Sequence, residues 1–112
     1  MSLDKYHSFC KSDLFGGTGE VKIWNLLAGR QMPPFSAALW CELEANGVVG
    51  RHRQQQDPEI IICTSGEGEA TIGKHTHKMA KGTFLYVPLG VSLSLRNSSG
   101  LPLCYLIIKA KK

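Results

Sequence analysis

Hydrophobic and polar residues alternate with a period of two along most of the chain, and almost nowhere do they recur at helical spacing. Val91, Leu93 and Leu95, alternating with Ser92, Ser94 and Arg96, give the cleanest run. In another, Ala37, Leu39, Cys41, Leu43 and Ala45 share one side and Ala38, Trp40, Glu42 and Glu44 the other, with Asn46-Gly47 as the closing turn. Further strands are predicted over 21–27, from Glu59 towards Gly66, over 69–72 and 75–79 about a Gly73-Lys74 turn, over 83–87 after Gly82, and over 103–109 after Asn97-Ser98-Ser99-Gly100. The total is about eight strands.

Short strands at turn spacings of about 8 to 12 residues make a sandwich or a closed barrel, because an all-β domain must hide or close its sheet edges. An all-β antiparallel barrel is therefore expected over residues 21–112 as a single domain, preceded by an N-terminal arm or loop over 1–20 that ends in Gly16-Gly17-Thr18-Gly19. That glycine-rich stretch precedes a strand and lacks the Lys-Ser/Thr ending of a phosphate loop, so it reads as a turn.

Composition narrows the function classes. With 112 residues, 43% of them hydrophobic, the chain can bury an ordinary core without disulfides or a structural metal. Disorder and collagen-like or disulfide-scaffold architectures are excluded. No apolar run approaches the roughly 20 residues of a membrane helix, and the N-terminus lacks the basic start and apolar middle of a secretory signal, so the cytoplasm is the expected compartment. Cys10, Cys41, Cys63 and Cys104 form no Cys-x-x-Cys pair and read as buried reduced thiols. The net charge is +4, but Lys109, Lys111 and Lys112 cluster at one end and Lys74, Lys78 and Lys81 near a turn. Without a basic stripe interleaved with aromatics, no nucleic-acid partner is expected.

The candidate chemistry lies in Gly50-Arg-His-Arg-Gln-Gln-Gln-Asp-Pro-Glu59, where an imidazole, an amide and a carboxylate precede a buried strand. Here His52-x-Gln54, four residues, Glu59, six residues and Gly66 resembles the first motif of the cupins, usually His-x-His, three or four residues, Glu, six residues, Gly. Gly82, five residues, Pro88-x-Gly90, two residues, Leu93, three residues and Asn97 resembles their second motif, after a spacer of 15 residues. The resemblance is to small single-domain cupins of the type-2 conserved barrel. It implies a double-stranded β-helix, or jelly roll, with a divalent metal held at the barrel mouth by first-motif residues and a second-motif His. Two positions depart from the pattern. Gln54 stands at the second His of the first motif and Leu93 at the His of the second, leaving a degenerate metal site.

A transition metal wants several imidazole, carboxylate or thiolate donors. His52, Gln54 and Glu59 are the candidate ligands for Mn, Fe, Ni or Zn, with Gln54 a weak oxygen donor and a substitute fourth ligand conceivable from Cys41, Cys63 or Cys104. Alternatively, the three form a hydrogen-bonded polar cluster that satisfies a buried carboxylate. Ile61, Cys63, Leu93 and Leu95 add apolar neighbours, so the expected pocket, His52, Gln54, Glu59, Ile61, Cys63, Leu93 and Leu95, is greasy with one polar corner and suits an organic ligand. Arg51 and Arg53 suggest an anionic head group, or else face solvent. His75-Thr-His77 has a chelating spacing but sits beside a turn among lysines, as on a solvated edge.

Trp24, Trp40, Phe84, Tyr86 and Tyr105 lie on strands, where core or interface packing is the commoner fate. Apolar residues on both faces of 103–108 exceed what one barrel face buries, which predicts a homodimer, as the resemblance also implies. Two functions follow as expectations: a small-molecule-binding, non-catalytic or sensor-like barrel, and a metal-dependent oxygenase, isomerase or lyase.

Overall fold

Burying alternate side chains on one face of each strand yields two facing antiparallel sheets. The computed structural model describes residues 2–112. Among them are ten strands: β1 (Ser8–Ser12), β2 (Glu20–Asn25), β3 (Phe35–Leu43), β4 (Val48–Arg53), β5 (Glu59–Ser65), β6 (Gly68–Ile72), β7 (His75–Met79), β8 (Phe84–Val87), β9 (Ser92–Arg96) and β10 (Leu103–Ala110). One sheet runs β1-β2-β3-β10-β5-β8 and the other β4-β9-β6-β7. This is the expected antiparallel jelly-roll barrel, its two sheets facing each other without closing into one ladder. Among the described residues no helix is long and apolar enough to cross a membrane.

Two strands go beyond the eight read from the pattern. β1 lies in the segment read as an arm and pairs with β2 from Ser8↔Trp24 to Ser12↔Glu20, though every one of its residues is exposed. Its alternation is invisible because neither face is buried. β4 escapes for a different reason. It pairs with β9 at Val49↔Leu95 and then at His52↔Leu93, so two residues of β4 stand opposite one of β9. That bulge breaks the period of two, and it turns both Val49 and His52 towards the inside although they are three positions apart.

The core lies between the sheets, with Leu43, Ile61, Met79, Val87, Leu103 and Ala70 fully covered. The outer face of the larger sheet is also apolar. Register aligns Trp24, Trp40, Leu106, Ile62 and Phe84 in one row and Ala38, Ile108, Ile60 and Tyr86 in the next. Phe84 and Tyr86 end these rows at 60% and 55% exposure. Of the cysteines, all free, Cys41, Cys63 and Cys104 are buried, but Cys10 is exposed, because the strand that carries it has no covered face.

Candidate functional site

The mouth of the barrel is formed where the bulged β4, the start of β5 and the end of β10 meet the loop before β2. That loop is drawn in by hydrogen bonds between the backbones of Thr18 and Val48, 2.9 and 2.8 Å long. The approach is so close that a methyl on Gly17 would strike the Val48 carbonyl and one on Gly50 the Phe15 carbonyl. Only glycine fits at either position. The loop reverses through left-handed backbone at Asp13 and Phe15, and the Phe15 ring stacks on His52 with centroids 3.8 Å apart and planes 15° from parallel.

His52 is half-buried, and its Nδ1 lies 3.0 Å from the Gly50 carbonyl oxygen. Since a carbonyl only accepts, Nδ1 carries the proton and Nε2 keeps its lone pair. Burial pushes the His52 pKa below its ordinary value. Gln54 and Glu59 are each 3% exposed, and the Gln54 Nε2 donates to Glu59 Oε1. Glu59 Oε2 is buried without a partner. Burial raises the Glu59 pKa, against the opposing pull of the Lys109 charge and of the Gln54 hydrogen bond.

A cavity of about 220 Å³ opens below these groups. Leu39, Val49, Leu93, Leu95 and Ile107 give it apolar walls, and Cys41, His52, Glu59, Tyr105, Lys109 and Lys11 bring polar groups to it. Tyr105 lies across from Cys41 on the neighbouring strand. Burial and the nearby Glu59 charge push the Cys41 thiol up to about 12, so it is a packed thiol and not a thiolate. An outer vestibule of about 380 Å³, lined by Arg53, Gln54, Gln55 and Asp57 among others, shares Phe15, His52 and Lys109 with the inner cavity.

Of the residues singled out in the sequence, His52, Glu59, Leu93 and Leu95 line the inner cavity, and Gln54 reaches it through its bond to Glu59 while lining the vestibule. Ile61 and Cys63 do not line it. They share the inward face of β5 with Glu59 but lie further along the strand, in the closed core, at 0% and 1% exposure. Arg51 and Arg53 are both exposed, and Arg53 lines the vestibule. His75 and His77 are exposed on the edge strand β7.

Sequence reading missed Phe15, Tyr105 and Lys109 as lining residues. Parity along β10 could have found the last two. Tyr105, Ile107 and Lys109 fall on one face of a strand that turns out to lie at the centre of its sheet. Nothing local marks Phe15.

The donor set does not fit a resident transition metal. His52 Nε2 and Glu59 Oε2 are free, but Gln54 turns its amide nitrogen to Glu59, and Leu93 is the register partner of His52. Two protein donors fall short of the three that metalloenzyme sites use. Among the described residues no three His, Cys, Asp or Glu side chains are grouped to hold a metal.

Glu59 makes stability depend on pH in a definite direction. Its folded pKa is raised, so its contribution is full below the ordinary value of 4.5 and is lost as pH rises through the raised value. Glu59→Gln has no charge to bury. The variant should therefore be more stable than the natural chain at pH 8, and the gap should close towards pH 4. Urea midpoints at several pH values measure this, and parallel curves for the two proteins would refute it.

A family model described as a cupin domain matches residues 39–109. Among solved structures, a predicted oxalate decarboxylase from Thermotoga maritima superposes with a TM-score of 0.92 at 22% identity, over 99% of this chain and 97% of that one. A cupin-2 domain protein from Rhodospirillum rubrum gives 0.84 at 14% identity, over 100% and 74%. The cupin domain of Schizosaccharomyces pombe Cnp3 gives 0.78 at 20% identity, over 99% and 72%. No curated protein matches.

Proposed function

From the premise that this chain belongs to the cupin domain family, we propose that it is a metal-free, small-molecule-binding barrel and not a catalyst. The observation that carries this reading is the Glu59 carboxylate, held by the Gln54 amide at the rim of a mostly apolar cavity, with Leu93 facing His52. The walls contribute affinity through burial of an apolar ligand body, while His52, Glu59 and Lys109 orient a polar head. Phe15, stacked on His52, lines both vestibule and cavity and gives a bound ligand an aromatic face between them.

Elemental analysis of untagged protein purified without added metal tests the reading, with His52→Ala and Glu59→Ala beside it. Under about a tenth of an equivalent of Mn, Fe, Ni or Zn, unchanged in both variants, is the expected result. Near-stoichiometric metal that disappears in both would overturn it. That outcome would favour the competing reading, a metal-dependent oxygenase, isomerase or lyase with His52, Gln54 and Glu59 as ligands, towards which the Thermotoga neighbour's description points. The competing reading needs Gln54 to release Glu59 and present its carbonyl oxygen instead.

The proposal extends to a cytoplasmic homodimer. The two apolar rows across β2, β3, β10, β5 and β8 end in the exposed aromatics Phe84 and Tyr86, as in a face finished by a second copy. Sedimentation should give twice the chain mass for the natural protein and the single mass for Phe84→Glu combined with Tyr86→Glu. A monomeric natural protein at tens of micromolar would sink this part.

A further inference from the structure

Four groups at the cavity rim and vestibule, Glu59, Lys109, Lys11 and Arg53, have no partner among the described residues that uses them fully. Glu59 lines the inner cavity, its Oε1 is held by Gln54, and its Oε2 is buried without a partner. An acceptor so placed costs stability unless something donates to it. Lys109, half-buried and directly across from Glu59 in the β10–β5 register, lines both inner cavity and vestibule. Lys11 adds a second ammonium to the cavity lining and Arg53 a guanidinium to the vestibule. Asp57, the acid of the vestibule, is already engaged by the Ser36 hydroxyl at 2.6 Å. The rim therefore presents two hydrogen-bond acceptors, Glu59 Oε2 and His52 Nε2, set among cations.

The remaining lining is aliphatic, and its size sets the ligand body. A dry apolar cavity of about 150 Å³ takes benzene, so one of about 220 Å³ holds roughly nine non-hydrogen atoms.

Resting on the small-molecule reading above, we infer that the ligand is a short aliphatic 2-hydroxy carboxylic acid: the alkyl chain enters the cavity, the hydroxyl donates to Glu59 Oε2, and the carboxylate meets Lys109. A hydroxyl suits the site better than an ammonium, because Lys11 and Lys109 already place two positive charges on the lining. A carboxylate without the hydroxyl leaves Glu59 Oε2 unpaired. An alcohol without the carboxylate leaves the cations unanswered.

Calorimetric titration of the natural chain with four probes tests this: 2-hydroxy-4-methylpentanoate, 4-methylpentanoate, 4-methylpentan-1-ol and leucine. The hydroxy acid should bind about tenfold or more tighter than each of the other three, as expected of hydrogen bonds to charged groups. Glu59→Gln keeps the shape and the bond from Gln54 but puts an NH2 where Oε2 stood, so the preference for hydroxy acid over plain acid should vanish. Lys109→Met, at a half-buried position, should remove the preference of acid over alcohol and leave the hydroxyl preference in place. Melting curves for both variants establish that they are folded, and Lys109→Gln replaces the methionine variant if that one does not fold.

Binding of all four probes within threefold of one another would overturn the inference and leave the small-molecule reading standing. So would a hydroxyl preference that survives Glu59→Gln. Absence of binding by every probe, the alcohol included, would overturn both.

Discussion

Gln54→His combined with Leu93→His is expected to raise bound Mn, Fe, Ni or Zn from under a tenth of an equivalent to about one per chain. Leu93 is the direct cross-strand partner of His52, and side chains so paired have Cβ atoms about 5 Å apart, within reach of one ion. A second imidazole at 54 would remove the amide that now holds Glu59 Oε1 and free both carboxylate oxygens. Together with His52, the site would then have three imidazoles and a carboxylate. Each single variant supplies a third donor and should bind metal more weakly than the double: Leu93→His leaves one Glu59 oxygen engaged by Gln54, and Gln54→His leaves Leu93 over the fourth position. The double variant loses the burial of Leu93, 1% exposed, and should be less stable without metal by about 2–3 kcal/mol. Added metal should restore that loss, since an ion that binds only the folded state stabilises it. Elemental analysis and melting with and without metal provide the readouts. A folded double variant with no more metal than the natural chain would mean that positions 52, 54, 59 and 93 do not converge, and the account of the mouth would fail with it.

What the sequence discloses about this mouth follows the range of the interactions that build it. Gln54 and Glu59 are five positions apart, at the two ends of one short loop, and their pairing is a local matter. Leu93 could be placed because the run from Val91 to Arg96 alternates without interruption. His52 was found by its neighbours in the motif, while the strand that carries it was not, because the bulge at Gly50-Arg51 destroys the alternation on which strand reading depends. That same bulge aims His52 inward. Phe15 lay beyond reach of any pattern. Its ring is delivered by a loop with left-handed backbone at two non-glycine residues, held by contacts with β4 that require Gly17 and Gly50. Ile61 and Cys63 were placed in the pocket by parity, but parity fixes only the face of a strand. Depth along the barrel axis decides whether that face meets a cavity or closed core, and the apolar groups from the facing sheet fill the deeper part.

Asn97→Ala should lower stability by about 3 kcal/mol, and so the melting temperature by roughly 10–15 °C. Asn97 is fully buried at the end of β9, where its Nδ2 lies 3.1 Å from the carbonyl oxygens of Leu43 and Glu44 and 2.7 Å from that of Leu101. Its Oδ1 accepts from the backbone nitrogen and hydroxyl of Ser99, at 3.0 and 2.9 Å. One amide therefore ties the end of β3 to the connection between β9 and β10, joining the two sheets where no ladder does. Alanine would take a donor from each of three covered carbonyls, although that of Glu44 keeps the Gly47 N–H and that of Leu101 the Ser99 hydroxyl. Asn97→Asp separates donation from volume: the shape is kept, but a carboxylate faces carbonyl oxygens, so the loss should be at least as large as for alanine. Ser99→Ala, which removes only the outer part of the arrangement, should cost less than about 1 kcal/mol. Asn97 lies at the end of β9 that pairs with Val48, away from the mouth near Arg53. Binding of a small molecule by the folded variant should thus be unchanged at temperatures below its melting. A fall in affinity without a fall in stability would show that this amide acts on the mouth, and the division of the barrel into a clamped closed end and a ligand-binding open end would be wrong.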